Sequence, residues 1–121
     1  MQIEKIILEN NLKLTDARVN ILKIFTSAKK PLSYDDLKNR LKMDKATFYR
    51  NMSKFEEESI VNAFESNDKK RYYEIKRKPH SHFICNICND IECIYSFSDI
   101  KMKGYVIEDI ILKGICKKCN K

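Results

Sequence analysis

Four cysteines in two matching pairs are the residues of this 121-residue chain whose spacing most directly indicates chemistry. Cys85 and Cys88 lie three positions apart, as do Cys116 and Cys119, and 27 residues separate the pairs. Two thiolates at this spacing can hold one ion from a single tight turn, and a second pair completes the tetrahedral sulfur set that zinc prefers. The spacing predicts a structural zinc site, with two disulfides or four unrelated core thiols as alternatives. Because the gap exceeds that of a simple zinc ribbon, the intervening loop must hold structure of its own.

Two histidines just before the first pair form a second candidate site. His80 and His82 are two positions apart on a predicted strand, so both side chains point to one face and could chelate one ion. The alternative is that they are ordinary polar strand residues. The fifth cysteine, Cys93, lies outside the quartet.

The bulk composition limits the class of protein. The length allows one ordinary domain or two very small ones with thin cores, for which a zinc staple is physically sensible. Apolar residues make up 43% and charged residues 34%, which indicates a globular chain without a membrane span. No signal-peptide pattern is present, so we expect a cytoplasmic protein. The net charge of +7 favours a polyanionic partner, provided that the positive field is localised.

The N-terminal half has mainly helical patterns, and one of the predicted helices is a candidate recognition helix. Helices are predicted over residues 2 to 10, from an N-cap at Thr15, and from a capping box at Ser33 and Asp36 through Leu41. A fourth helix is predicted from an N-cap at Asp44 to about residue 58.

This fourth helix separates an apolar stripe from a polar face. The stripe consists of Phe48, Met52 and Phe55, and the opposite face of Ala46, Arg50 and Ser53, with Tyr49 and Lys54 beside it. Arginine can contact guanine through two hydrogen bonds, and an aromatic surface can pack on thymine. The helix is therefore equipped to lie in a major groove, although a solvated helix face would look the same.

Two short strand patterns follow, over residues 60 to 64 and 71 to 75, joined by a polar loop. Helices followed by a β-hairpin are in the order of a winged helix. Lys69, Lys70 and Arg71 at the tip of this wing could contact phosphates, although any solvated turn is similarly charged.

The C-terminal third has mainly strand patterns. Strands are predicted over residues 82 to 85, 91 to 95 and 105 to 112, with a short helical or turn segment around 98 to 103. The strongly apolar run 105–112 needs a partner on so small a unit, so we expect a symmetric homodimer. The predicted architecture is α+β, with a winged helix-turn-helix domain (1–75), a hinge (76–79) and a zinc-stapled α/β dimerisation domain (80–121).

Together these segments resemble the ferric uptake regulator (Fur) family of bacterial metal-dependent repressors. The matching stretches are Leu12–Arg18, Leu32–Leu37, Ala46–Arg50, Tyr73–Ile75, His80–Cys88 and Gly114–Cys119. The resemblance implies a dimeric repressor that binds an AT-rich inverted repeat in double-stranded DNA. It also implies base contacts from Tyr49 and Arg50, with Thr47 in the same motif, and a minor-groove contact from Lys13. The cysteine quartet matches the structural zinc site of many members.

The regulatory metal site is where this sequence departs from the family pattern. Glu74, His80 and His82 occupy matching positions, but Pro31 stands where the family has a histidine and Cys93 where it has an acidic residue. A site that includes Cys93 would be softer than the usual oxygen and nitrogen set, and would favour zinc over manganese. The resemblance leaves zinc, iron and manganese open as the second ion.

Other functions are compatible with parts of the pattern. A regulator of the same family could lack a metal switch, being constitutive or sensing peroxide or thiol oxidation through cysteines. A zinc-stapled interaction module would bind no DNA. A thiol oxidoreductase is disfavoured because the cysteine pairs do not open helices in a βαβ pattern. With two histidines and no catalytic triad, phosphate loop or paired acid–base carboxylates, we expect no enzymatic activity.

Overall fold

The computed structural model describes residues 2–78, 80–96 and 100–121. The elements in chain order are α1 (Ile3–Glu9), α2 (Asp16–Ser27), β1 (Leu32–Ser33), α3 (Tyr34–Leu37), α4 (Lys45–Glu57), β2 (Val61–Glu65), β3 (Arg71–Ile75), β4 (Ser81–Cys85), β5 (Ile91–Ile94) and β6 (Ile111–Gly114). The chain divides into two compact units. The first runs to Phe64 and resumes over Arg71–Lys76; the second comprises Glu65–Lys70 and Arg77–Lys121.

Polar side chains cap the starts of α2, α3 and α4 where the sequence predicted them. The Thr15 hydroxyl accepts a hydrogen bond from the N–H of Arg18 at 3.2 Å and caps α2. Ser33 and Asp36 form a capping box, in which the Ser33 N–H donates to the Asp36 carboxylate at 2.9 Å. The helix it opens is shorter than predicted, because the chain tightens into a turn after Leu37. Leu41 still packs against the core from the irregular segment that follows.

The helices of the first unit pack on a three-stranded sheet with the strand order β1-β3-β2. Strand β1 pairs antiparallel with β3, with Leu32 opposite Tyr73. The core of this unit is a single cluster of buried side chains, consisting of Ile7, Leu12, Ile21, Leu22, Phe25, Leu37, Phe48, Met52, Phe55, Ile60, Val61, Tyr73 and Ile75. Helices α2 to α4 followed by the β2–β3 hairpin form the predicted winged helix.

The second unit is built on a sheet with the order β5-β4-β6. The central strand β4 runs antiparallel to β5, with His82 opposite Cys93, and parallel to β6, with Cys85 opposite Gly114. Among the residues described in this unit, the buried apolar side chains are Ile84, Cys85 and Ile91. This core is much thinner than that of the first unit.

The predicted strand over residues 105 to 112 is wrong in its position. The strand covers Ile111–Gly114, and residues 105 to 110 are irregular. The reason is the length of the partner, since β4 has only five residues and aligns with β6 from Ile111 onward. Preceding apolar side chains are left exposed, Tyr105 by 69% and Val106 by 90%.

The short segment predicted around residues 98 to 103 is described only in part, because 97–99 lie outside the described residues. Residues 100–102 are irregular, and a turn follows at Lys103 and Gly104, where Gly104 has a φ of +83°. No helix in the described part of the chain has the length and apolar content needed to cross a membrane.

Candidate metal centres and nucleic-acid interface

The pairing of β4 with β6 brings the four cysteines together. Because these strands are parallel, their carboxyl ends meet at one edge of the sheet. Cys85 ends β4 and Cys116 follows β6 by two residues, while Cys88 and Cys119 come from the turns beyond. The four sulfur atoms lie within 4.8 Å of one another.

Backbone amides converge on the innermost sulfur of this quartet. The N–H groups of Ile87 and Cys88 point to Cys85 Sγ at 3.4 and 3.5 Å, and that of Cys116 lies 3.4 Å from the same atom. These donors, led by Cys88 and Cys116, lower the pKa of the Cys85 thiol to about 6. The turn closes through Asn89, whose φ of +61° is one that asparagine tolerates.

Two of the other thiols, those of Cys88 and Cys119, have raised pKa values. The neighbouring Cys116 sulfur, together with desolvation, raises the pKa of Cys119 to about 12. The Asp90 N–H acts to lower the pKa of Cys88, but desolvation and the sulfurs of Cys85 and Cys116 outweigh it and the pKa is raised. Without a cation, Cys88 and Cys119 therefore favour the protonated thiol. A divalent cation bound between the sulfur atoms would favour the thiolate form.

The sulfur geometry fits zinc. Cys88 Sγ and Cys116 Sγ are 3.8 Å apart, far beyond the roughly 2.05 Å of a disulfide. Zinc–sulfur bonds of about 2.3 Å in a tetrahedron place sulfurs about 3.8 Å apart. The quartet therefore has the geometry expected of the predicted four-cysteine zinc site, and Zn²⁺ bound there would crosslink the ends of β4 and β6.

A second candidate ligand cluster is formed by His80, which precedes β4, His82 of β4 and Cys93 of β5. His82 is directly opposite Cys93, and His80 lies two residues before His82 with their ring centroids 4.7 Å apart. Donor atoms of these three side chains lie within 4.8 Å of one another. The Lys78 carbonyl lies 2.9 Å from His80 Nδ1, which places the proton on Nδ1 and leaves Nε2 as the donor to a metal. Two imidazoles and a thiol suit zinc or another borderline-soft divalent ion.

Two further positions of the predicted regulatory site belong to the first unit. Glu74 lies on β3 with 9% of its surface exposed. Its role as a ligand stays a prediction. Pro31 is fully buried and offers no donor atom for a metal.

Helix α4 has the two faces that its sequence predicted. Phe48, Met52 and Phe55 are fully buried, whereas Arg50 and Ser53 are exposed. At its start, the Asp44 carboxylate accepts a hydrogen bond from the Thr47 N–H at 2.8 Å. Bonds from the side chain and backbone of Thr47 lower the pKa of Asp44, so the cap is charged at neutral pH. The polar face is thus presented on a well-anchored helix.

The side chains predicted to contact bases are held in place by contacts with neighbouring side chains. Arg50 Nη2 donates to Thr47 Oγ1 at 3.1 Å, one turn earlier on the same face. The ring of Tyr49 lies 5.7 Å from that of Tyr34 and 5.2 Å from that of Phe48. Burial, with Asp35 and Tyr34 nearby, raises the pKa of Tyr49, which keeps its hydroxyl protonated.

The three basic residues predicted at the wing tip occupy two different settings. Lys69 and Lys70 lie in the loop between β2 and β3 and are exposed, with Lys69 at a φ of +62°. Arg71 is the first residue of β3, where its guanidinium forms an ion pair with Glu56 of α4 at 2.8 Å. Lys13 is exposed in the segment between α1 and α2.

Comparison with known proteins identifies the chain. A family model described as "Ferric uptake regulator family" matches residues 9–110. The chain belongs to the ferric uptake regulator family.

Individual relatives agree. The ferric uptake regulation protein of Bordetella parapertussis is 30% identical over 129 residues, covering 91% of each chain. A structure of the ferric uptake regulator of Francisella tularensis with iron is 29% identical and has a TM-score of 0.70, covering 91% of this chain and 96% of that one. The Pseudomonas aeruginosa ferric uptake regulator with manganese shares the fold, with 22% identity, a TM-score of 0.79 and coverage of 98% and 100%.

Membership in the Fur family confirms the predicted fold and function. The chain is a metal-responsive transcriptional repressor of the Fur type. Fur proteins bind DNA as dimers and are transcription regulators rather than enzymes. Two groups of side chains in the described residues could each hold a metal ion, namely the cysteine quartet and the cluster that contains His80, His82 and Cys93.

One pair of residues in this Fur-family chain was missed by the sequence-based assignment of functional residues. Arg18 Nε donates to Asn51 Oδ1 at 2.9 Å, joining α2 to α4 across 33 positions. The available signal was a polar Asn51 beside the apolar stripe of α4. A buried asparagine in a helix needs partners for its amide, and Arg18 of α2 has a side chain long enough to supply a donor.

Proposed function

We propose that this Fur-family chain represses transcription from the cytoplasm as a homodimer that binds an AT-rich inverted repeat. The observation that carries the proposal is the division of α4 into a fully buried stripe and an exposed face bearing Arg50. In this proposal Tyr49, Arg50 and Thr47 read the major groove and Lys13 enters the minor groove. Lys69, Lys70 and Arg71 contact phosphates, which strengthens binding without reading sequence.

We further propose that His80, His82, Cys93 and Glu74 bind the regulatory ion. The three donors in and beside β4 and β5 support this, and Glu74 supplies the carboxylate. The chain then functions as residues 1–75 for DNA binding, 76–79 as hinge and 80–121 for zinc binding and dimerisation. A dimer would also cover exposed apolar side chains such as Tyr105 and Val106. Metal that binds the operator-binding state more tightly than other states would switch the repressor on.

Operator binding tests the role of α4. A duplex selected by the protein from a random pool would serve as operator. Arg50→Ala should weaken binding to it by about 10- to 100-fold, since one bidentate base contact is worth about 1–3 kcal/mol. Lys38→Ala, which removes an exposed cation outside α4, is the matched control. An unchanged affinity for the Arg50→Ala variant would overturn the assignment of this helix.

Counting metal ions tests the regulatory site. Native mass spectrometry, with zinc, iron(II) and manganese(II) added in turn, reports ions per chain and chains per particle. Two ions per chain are expected, one resistant to chelator and the other lost in a His80→Ala, His82→Ala variant. One tightly held zinc and no second ion would contradict the metal switch and leave a constitutive or thiol-sensing regulator.

A further inference from the structure

Arg18 makes hydrogen bonds to two elements that the proposed function assigns to different grooves of DNA. Its Nη1 donates to the Lys13 carbonyl at 2.8 Å, and its Nε donates to Asn51 Oδ1 at 2.9 Å. One guanidinium therefore joins the backbone of the proposed minor-groove residue to the proposed major-groove helix.

The bonds continue along α4 to the base-reading side chain. Asn51 Nδ2 donates to the Thr47 carbonyl at 2.9 Å, and Thr47 Oγ1 accepts from Arg50 Nη2 at 3.1 Å. Asn51 is 8% exposed and Arg18 is half-buried, so water screens the bonds that Asn51 makes to Arg18 and Thr47 less than it would on an open surface, whereas the bonds at the Lys13 and Arg50 ends are exposed. A series of hydrogen bonds thus connects Lys13 to Arg50 by way of Arg18, Asn51 and Thr47.

The type of residue at position 18 suits this bridging role. A guanidinium is a planar fork whose donors point in fixed directions, so it can hold two acceptors at once in one geometry. A lysine ammonium carries the same charge on a flexible stem and cannot fix the two acceptors in the same way. Replacement of Arg18 by lysine therefore keeps the positive charge but removes the fixed geometry of the hydrogen bonds.

We propose that Arg18 is a positioning residue that sets sequence specificity without touching DNA, by fixing the Lys13 segment against α4. The proposal rests on the function assigned above to Lys13 and Arg50. Holding both readers in one geometry before binding removes part of the ordering cost when they enter their grooves. The lower ordering cost strengthens binding to an operator, where both residues find matching bases in their grooves. It strengthens binding to random DNA very little.

The test compares operator and scrambled duplexes of equal length over a range of salt concentrations. Arg18→Ala and Arg18→Lys should each lower operator affinity by about tenfold or more while changing affinity for scrambled DNA no more than Lys23→Ala does. Lys23 is an exposed cation on the same helix and serves as the charge control. Circular dichroism at the assay temperature verifies that each variant is folded, and Asn51→Leu, which removes the acceptor, should reproduce the loss.

Two results would overturn the proposal. If Arg18 contacts a phosphate, Arg18→Lys will retain affinity, and Arg18→Ala will weaken both duplexes and reduce the salt slope by about one. If Arg18 merely stabilises the fold, variants that remain folded will bind the operator as wild type does. Failure of the proposed function looks different, because wild-type protein would then select no operator or Arg50→Ala would bind it unchanged.

A coupling measurement probes the bridge directly. With Arg18 present, the effects of Lys13→Ala and Arg50→Ala on operator affinity should be non-additive by about threefold or more, because one network holds both. In the Arg18→Ala background the two effects should become additive. Equal coupling in both backgrounds would also contradict the proposal.

Discussion

Removing the zinc should unfold the second unit while the first remains folded. The most selective substitution is Cys119→Ser. This half-buried candidate ligand follows β6 and lies outside the paired strands, so its replacement alters no residue of those strands. The variant keeps the volume of the side chain but lacks the thiolate. Cys93→Ser is the matched control, since it makes the same replacement outside the quartet.

The expected size of the effect follows from the two cores. Ile84 and Ile91 are the aliphatic side chains buried among the described residues of the second unit, and burying two of them contributes about 3–6 kcal/mol. Structural zinc contributes about 10–16 kcal/mol in small zinc domains. The metal therefore outweighs the apolar core of this unit. The first unit has a core cluster of thirteen buried residues and needs no metal ion to remain folded.

Hydrogen exchange measured by mass spectrometry separates the two units. In Cys119→Ser, amides of β4, β5 and β6 should lose nearly all protection, whereas those of α2 and α4 keep theirs. Zinc content measured on the same samples should fall to less than one ion per chain, while Cys93→Ser retains its quartet zinc. Wild-type protection of β4 in a zinc-free variant would refute the reasoning, because it would mean that packing alone holds the sheet.

Three further predictions concern the first unit. Phe48→Ala should destabilise it by about 3–5 kcal/mol through a cavity under α4, measured by urea denaturation, whereas exposed Ser53→Ala should change stability by less than about 0.5 kcal/mol. Ser33→Ala should cost about 1 kcal/mol in the same assay, because it removes one half of the capping box. Asp44 has a pKa below its ordinary 3.8 in the folded protein, so its contribution to stability is complete above that value and is lost as the pH falls through the folded pKa. Asp44→Asn should lack this acid-dependent part when unfolding curves of both proteins are compared between pH 5 and 2.5; identical pH dependence would show that the cap's charge is irrelevant.

Local interactions explain which parts could be predicted from the sequence. Caps such as Thr15 and Ser33 act within three residues of themselves, and the buried stripe of α4 follows from helical periodicity alone. The cysteine spacing predicted a four-sulfur cluster because each turn of the site is itself local. The two cysteine turns form one cluster once the ends of the strands that precede them lie side by side.

The errors and omissions arise where the outcome depends on distant partners. The apolar pattern of residues 105–112 is a good strand pattern, but the pairing available on β4 begins at Ile111. The Arg18–Asn51 bond joins residues 33 positions apart; the polar Asn51 beside the apolar stripe indicated that a partner was needed, but a single sequence does not indicate which residue it is. The sequence-based domain boundary also placed Glu65–Lys70 in the first domain, whereas these residues belong to the second unit because they contact a distant part of the chain. There Asn67 Nδ2 donates to Asn86 Oδ1 at 3.0 Å, across 19 positions.

Both metal clusters depend on the same five-residue strand. Cys85 ends β4, and His82 lies three residues earlier on the opposite face, where it meets Cys93 of β5. A slip of one residue in β4 would turn each side chain to the other face and dismantle both clusters at once. Zinc in the quartet would hold β4 in register with β6, so it would also order the histidines proposed to bind the second ion. Since a site that must first be ordered binds more weakly by the cost of ordering it, we expect the proposed second site to reach its full affinity only in zinc-loaded protein. In this proposal the structural ion contributes to sensing, although it lies outside the cluster that binds the regulatory ion.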